Sequence, residues 1–222
     1  MSRKLSPEDL QNGNEFELLT EVSHQNLKEF IVEQIRAEKH IIRIYSVYQV
    51  VMLLIFIFIL TQSIILTFKG HSEALISIGF GILFSLSVLI VIHELLHALA
   101  YLLNGARKIS FGFILKKFIF YALADRQVIA SRAFHFIALA PFVVVKIICL
   151  VGFLVFYNEP MMYFFLSVMC LHSLFCAGDV AMLAFYNLHR GKEIYNFDNR
   201  SEGKTYFYTR KTNSKKYIIY YE

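Results

Sequence analysis

His93-Glu94-Leu95-Leu96-His97 lies inside an apolar run, Ala74 to Leu103, that is long enough to cross a membrane. About one helical turn separates the two histidines, so their imidazoles share a face and can clasp one divalent ion. Glu94 falls about 60° from His97 around the helix, where it can hold a water beside that ion. Ionisable side chains are costly in hydrocarbon and usually serve a function there. The stretch therefore predicts a metal-dependent hydrolytic site on a helix within the bilayer.

Three further apolar runs flank this one. They are Ile41 to Phe68, about Ala133 to Tyr157, and Met161 to about Leu188. Each exceeds the roughly 20 residues that a spanning helix needs. Lys69-Gly70-His71-Ser72 and Asn158-Glu159-Pro160 make the breaks. The chain is 57% hydrophobic with a mean hydropathy of +0.53, and only 18% of it is charged. That is below the roughly 25% of soluble domains and excludes a single aqueous core. The net charge of +5 is scattered between the runs, so no basic face for a nucleic acid is present. Cys149, Cys170 and Cys176 all lie in apolar runs without a C-x-x-C pair, which reads as buried packing.

Placement of the positive residues predicts the topology. Six Lys/Arg precede the first run's core (residues 1–43), one lies in 69–72, six in 104–132, none in 158–160 and eight after Leu188. Cytoplasmic loops carry the excess of Lys and Arg. The expected fold is an all-α membrane protein of four transmembrane helices with short cytosolic β-hairpins and both termini cytoplasmic. Residues 1–40 are read as a cytosolic lead-in, 41–188 as a four-span domain with loop 104–132, and 189–222 as a cytosolic tail. The first forty residues are polar, and the first apolar run is too long for a signal-peptide core, so no cleaved signal is expected.

Ser6-Pro7-Glu8-Asp9 is a helix start, and Leu27, Phe30, Ile31 and Ile35 form a helical stripe suited to a membrane surface or to a partner helix. Alternation at Ile109, Phe111, Phe113 and Leu115, then at Ile119, Tyr121 and Leu123, predicts a hairpin turning near Lys116-Lys117. Thr205–Thr209 and Tyr217–Tyr221 suggest a second hairpin in the tail.

A catalytic zinc takes three protein ligands and keeps one open position. Depth selects the third. At 1.5 Å per residue from a boundary near Leu103, His97 lies about 9 Å and His93 about 15 Å inside. Asp179 lies about 12 Å inside the fourth run, between them, and is the carboxylate of that run. His172, about 22 Å deep on a straight helix, is expected to sit too deep by one to two turns. It shares a face with Asp179, so a secondary role orienting a ligand or binding an oxyanion stays open beside a plain packing bond. Gly178 allows a helix or a substrate backbone to approach. Cys176 is read as packing, and His135 as too shallow. Zn²⁺ is the expected cofactor, His93, His97 and Asp179 the expected ligands, and Glu94 the expected acid–base group.

His93-Glu94-x-x-His97 at the inner end of a span resembles the site-2 protease class of intramembrane metalloproteases. The chain is more similar to a bacterial family of small multi-pass membrane proteins described as zincin peptidases, over roughly Leu86 to Tyr208. The elements carrying that likeness are the His-Glu motif, Ala140-Pro141, Gly178-Asp179, Asp198 and Gly203 to Tyr206. The resemblance implies zinc on His93 and His97, catalysis by Glu94, Asp179 as third ligand, a membrane protein or peptide as substrate, and a bacterial cell membrane as location. It departs from site-2 proteases in the order Gly-Asp, without a preceding Asn-Pro. Glu193 is the alternative third ligand of larger zincin peptidases. A non-proteolytic adaptor retaining a structural metal site is the rival from another class; four protein ligands would favour it, and three favour an enzyme.

Overall fold

The computed structural model describes residues 5–114 and 119–211. It is mostly helical, with two small antiparallel sheets. Helix α1 (Pro7–Gln11) starts on a capping box: Ser6 Oγ accepts the Asp9 N–H at 3.2 Å, and the Asp9 carboxylate accepts the Ser6 N–H at 2.9 Å. Strand β1 (Phe16–Ser23) follows, then α2 (Leu27–Ala37). Part of the stripe on α2 turns inward against the bundle, while Ile35 stays exposed. Leu27 and Phe30 join the core, Phe30 lying 5.6 Å from the Phe185 ring.

Helix α3 (His40–Phe68) is apolar on every side and long enough to span a bilayer. Glu38 nucleates it. Its carboxylate accepts the backbone N–H groups of His40, Ile41 and Ile42 at 3.1, 2.7 and 3.2 Å, three of the donors a helix start leaves unpaired. The second apolar run is not one straight rod. Helices α4 (Glu73–Leu86) and α5 (Val88–Leu103) meet at Ser87 with a 48° bend. Ser87 Oγ donates to the Leu83 carbonyl at 2.6 Å, a back-bond that diverts the helical ladder at this point.

Strands β2 (Ile109–Ile114) and β3 (Ile119–Ala124) pair in antiparallel register from Ile109↔Ala124 to Ile114↔Ile119, where the alternation predicted them. The expected turn at Lys116-Lys117 lies outside the described residues. After β4 (Ile129–Ala130), α6 (Ser131–Val155) is the second helix long enough to span, and it carries the buried Pro141. Lys146 on α6 is satisfied within the bundle: its ammonium donates to the Met169 carbonyl and lies 5.6 Å from the centres of the Tyr48 and Phe142 rings.

The fourth run is also broken. Helices α7 (Met161–Phe175) and α8 (Ala177–Leu188) bend by 44° at Cys176. The break strands the Ser173 carbonyl, and α3 satisfies it through Tyr45 Oη and through Gln49 Nε2 at 2.7 Å. Two helices and two bent pairs thus have the length and apolarity of membrane spans.

The tail adds β5 (Ile194–Asn199) and β6 (Lys204–Arg210). The larger sheet has the order β1-β6-β5-β4. Strand β6 is interior, paired with β1 on one edge and β5 on the other. That differs from the expected pairing of Thr205–Thr209 with Tyr217–Tyr221, whose residues lie outside those described. Strand β1 was not expected, because its partner is almost two hundred residues away. Phe207, wholly buried, anchors the sheet onto the bundle 4.6 Å from Phe185, beside Tyr101, Tyr186 and Ile194.

Candidate metal centre

The helical spacing does what it predicts. On α5, His93 and His97 are buried and turn the same way, with Nε2 atoms 3.1 Å apart. Asp179 enters from the first turn of α8, its Oδ2 3.2 Å from His93 Nε2 and its Oδ1 3.2 Å from His97 Nε2. The depth argument therefore selected the carboxylate that meets the histidines.

The donor chemistry fits a cation. His97 Nδ1 lies 3.0 Å from the Ile137 carbonyl oxygen, which only accepts, so that nitrogen carries the proton and Nε2 offers a lone pair. Asp179 Oδ2 is shielded from solvent and has no hydrogen-bond partner, although His93 Nε2 lies 3.2 Å from it. One donor atom from each of His93, His97 and Asp179 lies within 4.8 Å of the others, a set of two imidazole nitrogens and a carboxylate oxygen that suits zinc.

Pro141 explains why the Ile137 carbonyl is available. In a regular helix that oxygen accepts the N–H four residues on, and proline has none. The Ala140-Pro141 element thus acts through the backbone, one turn earlier.

Glu94 lies on the wall of a cavity of about 430 Å³ that also exposes His93, His97 and Asp179. The backbone N–H of Ala122 on β3 lies beside its carboxyl group, while Oε2 is buried without a hydrogen-bond partner. The cavity continues to the four-stranded sheet, where its wall includes His24, Asp198 and Thr205. Thr205 Oγ1 donates to Asp198 Oδ1 at 2.6 Å and lies 3.3 Å from His24 Nε2. His24 lies outside the apolar runs, which sets it aside on depth, and nothing local in the sequence ties it to β5 and β6. Gly178 also lines the cavity, and a Cβ there would meet nothing within 4 Å, so its small size opens space instead of seating a helix.

His172, on α7 across the break from Asp179, stands outside the His93–His97–Asp179 group, and its Nε2 lies 3.1 Å from His93 Nδ1, where it can orient a ligand. Cys176 is within 3.8 Å of the His172 ring. His135 stays apart, bonded to the Ser131 carbonyl at 2.7 Å, and Glu193 lies by the sheet, 3.4 Å from Arg210. Among the described residues, two groups have metal-binding geometry: His93, His97 and Asp179, and His93, His172 and Cys176.

Residues 86–195 match the family described as "Putative zincin peptidase". The zincin match spans the His-Glu motif, Ala140-Pro141 and Gly178-Asp179, and it stops at the start of β5. It supports a metallopeptidase, with zinc as the metal that a zincin implies. No curated protein and no solved structure matches the chain.

Proposed function

We propose that the chain is a zinc-dependent intramembrane peptidase that hydrolyses peptide bonds of membrane-associated substrates near the cytoplasmic face. The observation that carries this reading is the triangle of His93 Nε2, His97 Nε2 and the Asp179 carboxylate at the wall of a cavity that also holds Glu94. Three protein donors leave a fourth position for chemistry, whereas a structural zinc is closed by four.

His93, His97 and Asp179 would hold the ion, and the chemistry it supplies is Lewis acidity toward a carbonyl and a water. The remaining work belongs to the chain. Glu94, on the cavity wall beside His93 and His97, takes a proton from the attacking water and delivers it to the leaving nitrogen. A peptide bond in a helix is shielded by its own hydrogen bonds, so the substrate must be extended before it is cut. Strand β3 lines the cavity through Tyr121 and Ala122 and offers an extended segment a strand to pair with.

The membrane placement follows from the outer surface and the charges. Val47, Leu54 and Phe58 on α3, Leu83 on α4 and Leu154 on α6 are exposed apolar side chains on spanning-length elements. An apolar surface of that extent suits lipid. In the four-span reading each bent pair is one span. The segments rich in Lys and Arg (the N-terminal region, residues 104–132 and the tail) pack together through β1–β6, β4–β5 and the Asp125–Asp198 bridge. The positive-inside rule puts that end in the cytoplasm.

The test is cleavage of a membrane-tethered model peptide by purified wild-type and Glu94→Gln protein, with metal content measured in both. The expected result is equal metal and at least about a hundredfold slower cleavage by the variant. Equal cleavage by both would overturn the assignment.

A further inference from the structure

The second donor group shares His93 with the first, but its other two members, His172 and Cys176, have no part in the reaction as described. We infer that His172 is a positioning residue for His93: it accepts the His93 Nδ1 proton, and this two-ring relay fixes the ring that faces the metal. The inference rests on the reading of His93, His97 and Asp179 as the ligand set.

A histidine that gives its Nε2 lone pair to a cation carries its proton on Nδ1, and that N–H needs an acceptor. For His93 the acceptor is His172 Nε2 at 3.1 Å. An accepting Nε2 requires the His172 proton on Nδ1. Cys176 Sγ lies 3.7 Å from that Nδ1 and 3.8 Å from Nε2, so it packs against the ring without choosing between the nitrogens, and its thiol donates to the His172 carbonyl at 3.3 Å. His97 is fixed differently, by the Ile137 carbonyl.

Location separates this group from the reacting end. His172 and Cys176 are both fully buried, and neither is among the residues lining the cavity. They therefore act through His93 and do not touch substrate. A carboxylate is the common partner for a ligand histidine, but Asp179 and Glu94 already place two in this apolar setting. A neutral imidazole supplies the acceptor without a third charge.

Zinc affinity of the purified full chain in detergent, measured by competition with a chromogenic chelator, tests the relay. His172→Phe is expected to bind zinc about 10–100-fold more weakly. His172→Gln is expected to stay within about threefold of wild type, because its side-chain oxygen accepts the same proton. His172→Leu, which likewise has no acceptor, is expected to weaken binding as Phe does, and carries the test should His172→Phe fail to fold. Cobalt-loaded wild type is expected to show one metal per chain and no sulfur-to-metal charge-transfer absorption. Wild-type affinity in His172→Phe, or a Gln variant as weak as Phe with an unchanged apo unfolding temperature, would overturn the relay. Two metals per chain, or a charge-transfer band lost in Cys176→Ala, would overturn it in favour of a second ion. A wild-type chain that binds no zinc would instead remove the metal centre itself.

Discussion

The carbonyl oxygen of Ile137 accepts from His97 Nδ1 at 3.0 Å because Pro141, four residues on, leaves that oxygen without its helical donor. A helix defect on α6 thus fixes the orientation of the His97 ring on α5. Pro141→Ala would supply a competing N–H while relieving the proline's disruption of α6. The expected outcome is an unchanged or higher unfolding temperature together with zinc affinity reduced roughly threefold or more. Chelator competition and thermal unfolding on the same sample check both halves. A fall in stability with affinity intact would contradict the argument.

Removal of the third donor should have a larger effect. Asp179→Ala leaves two imidazoles and one fewer negative charge opposite the ion. Zinc content after gel filtration is expected to drop to background, and cleavage with it. Chelator treatment of the wild type should abolish cleavage, and added zinc should restore it. Full zinc retention by Asp179→Ala, read by elemental analysis, would take Asp179 out of the site.

Substrate extension along β3 predicts a separation of binding from metal loading. Ala122→Pro removes the N–H beside Glu94 on the strand that lines the cavity. Cleavage of the model peptide should fall at least about tenfold while zinc content stays at wild-type level. Equal loss of both would mean that the hairpin supports the fold and not the substrate.

The junction into α3 predicts a pH dependence. Burial raises the Glu38 carboxyl, but the Ile42 N–H, the Asn187 amide and the N–H groups of His40 and Ile41 outweigh it and hold the group below its ordinary value of 4.5. A carboxyl lowered in the fold stabilises above its unfolded value, and that contribution is lost as pH falls through the lowered one. Glu38→Gln should therefore unfold at a lower temperature than wild type at pH 7, by an effect of about 1 kcal/mol. The gap should close as pH drops below about 4.5. A gap that is constant with pH would rule out the charged cap.

The parts of the site that sequence made legible are those governed by short-range geometry. One helical turn relates His93 to His97, and a count of residues from the end of a span put Asp179 at their level. The hairpin strands β2 and β3 followed from alternation over a few residues. What escaped depends on departures from straight rods and on distant pairing. The breaks at Ser87 and Cys176 cannot be read from apolar runs, and the contact of His172 with the His93 ring joins two such broken runs. Ala140-Pro141 was visible as a motif, but its effect falls on a carbonyl four residues earlier. The wall formed by His24, Asp198 and Thr205 needed β1 to find β6 across the whole chain.

That last pairing has a consequence for biogenesis. Phe16–Ser23 is made before the bundle helices, yet its hydrogen-bonding partner, Lys204–Arg210, is made after all of them. A nascent chain that already has both imidazoles and the aspartate therefore still lacks part of the chamber around them, and the pocket is complete only once Lys204–Arg210 has left the ribosome and docked.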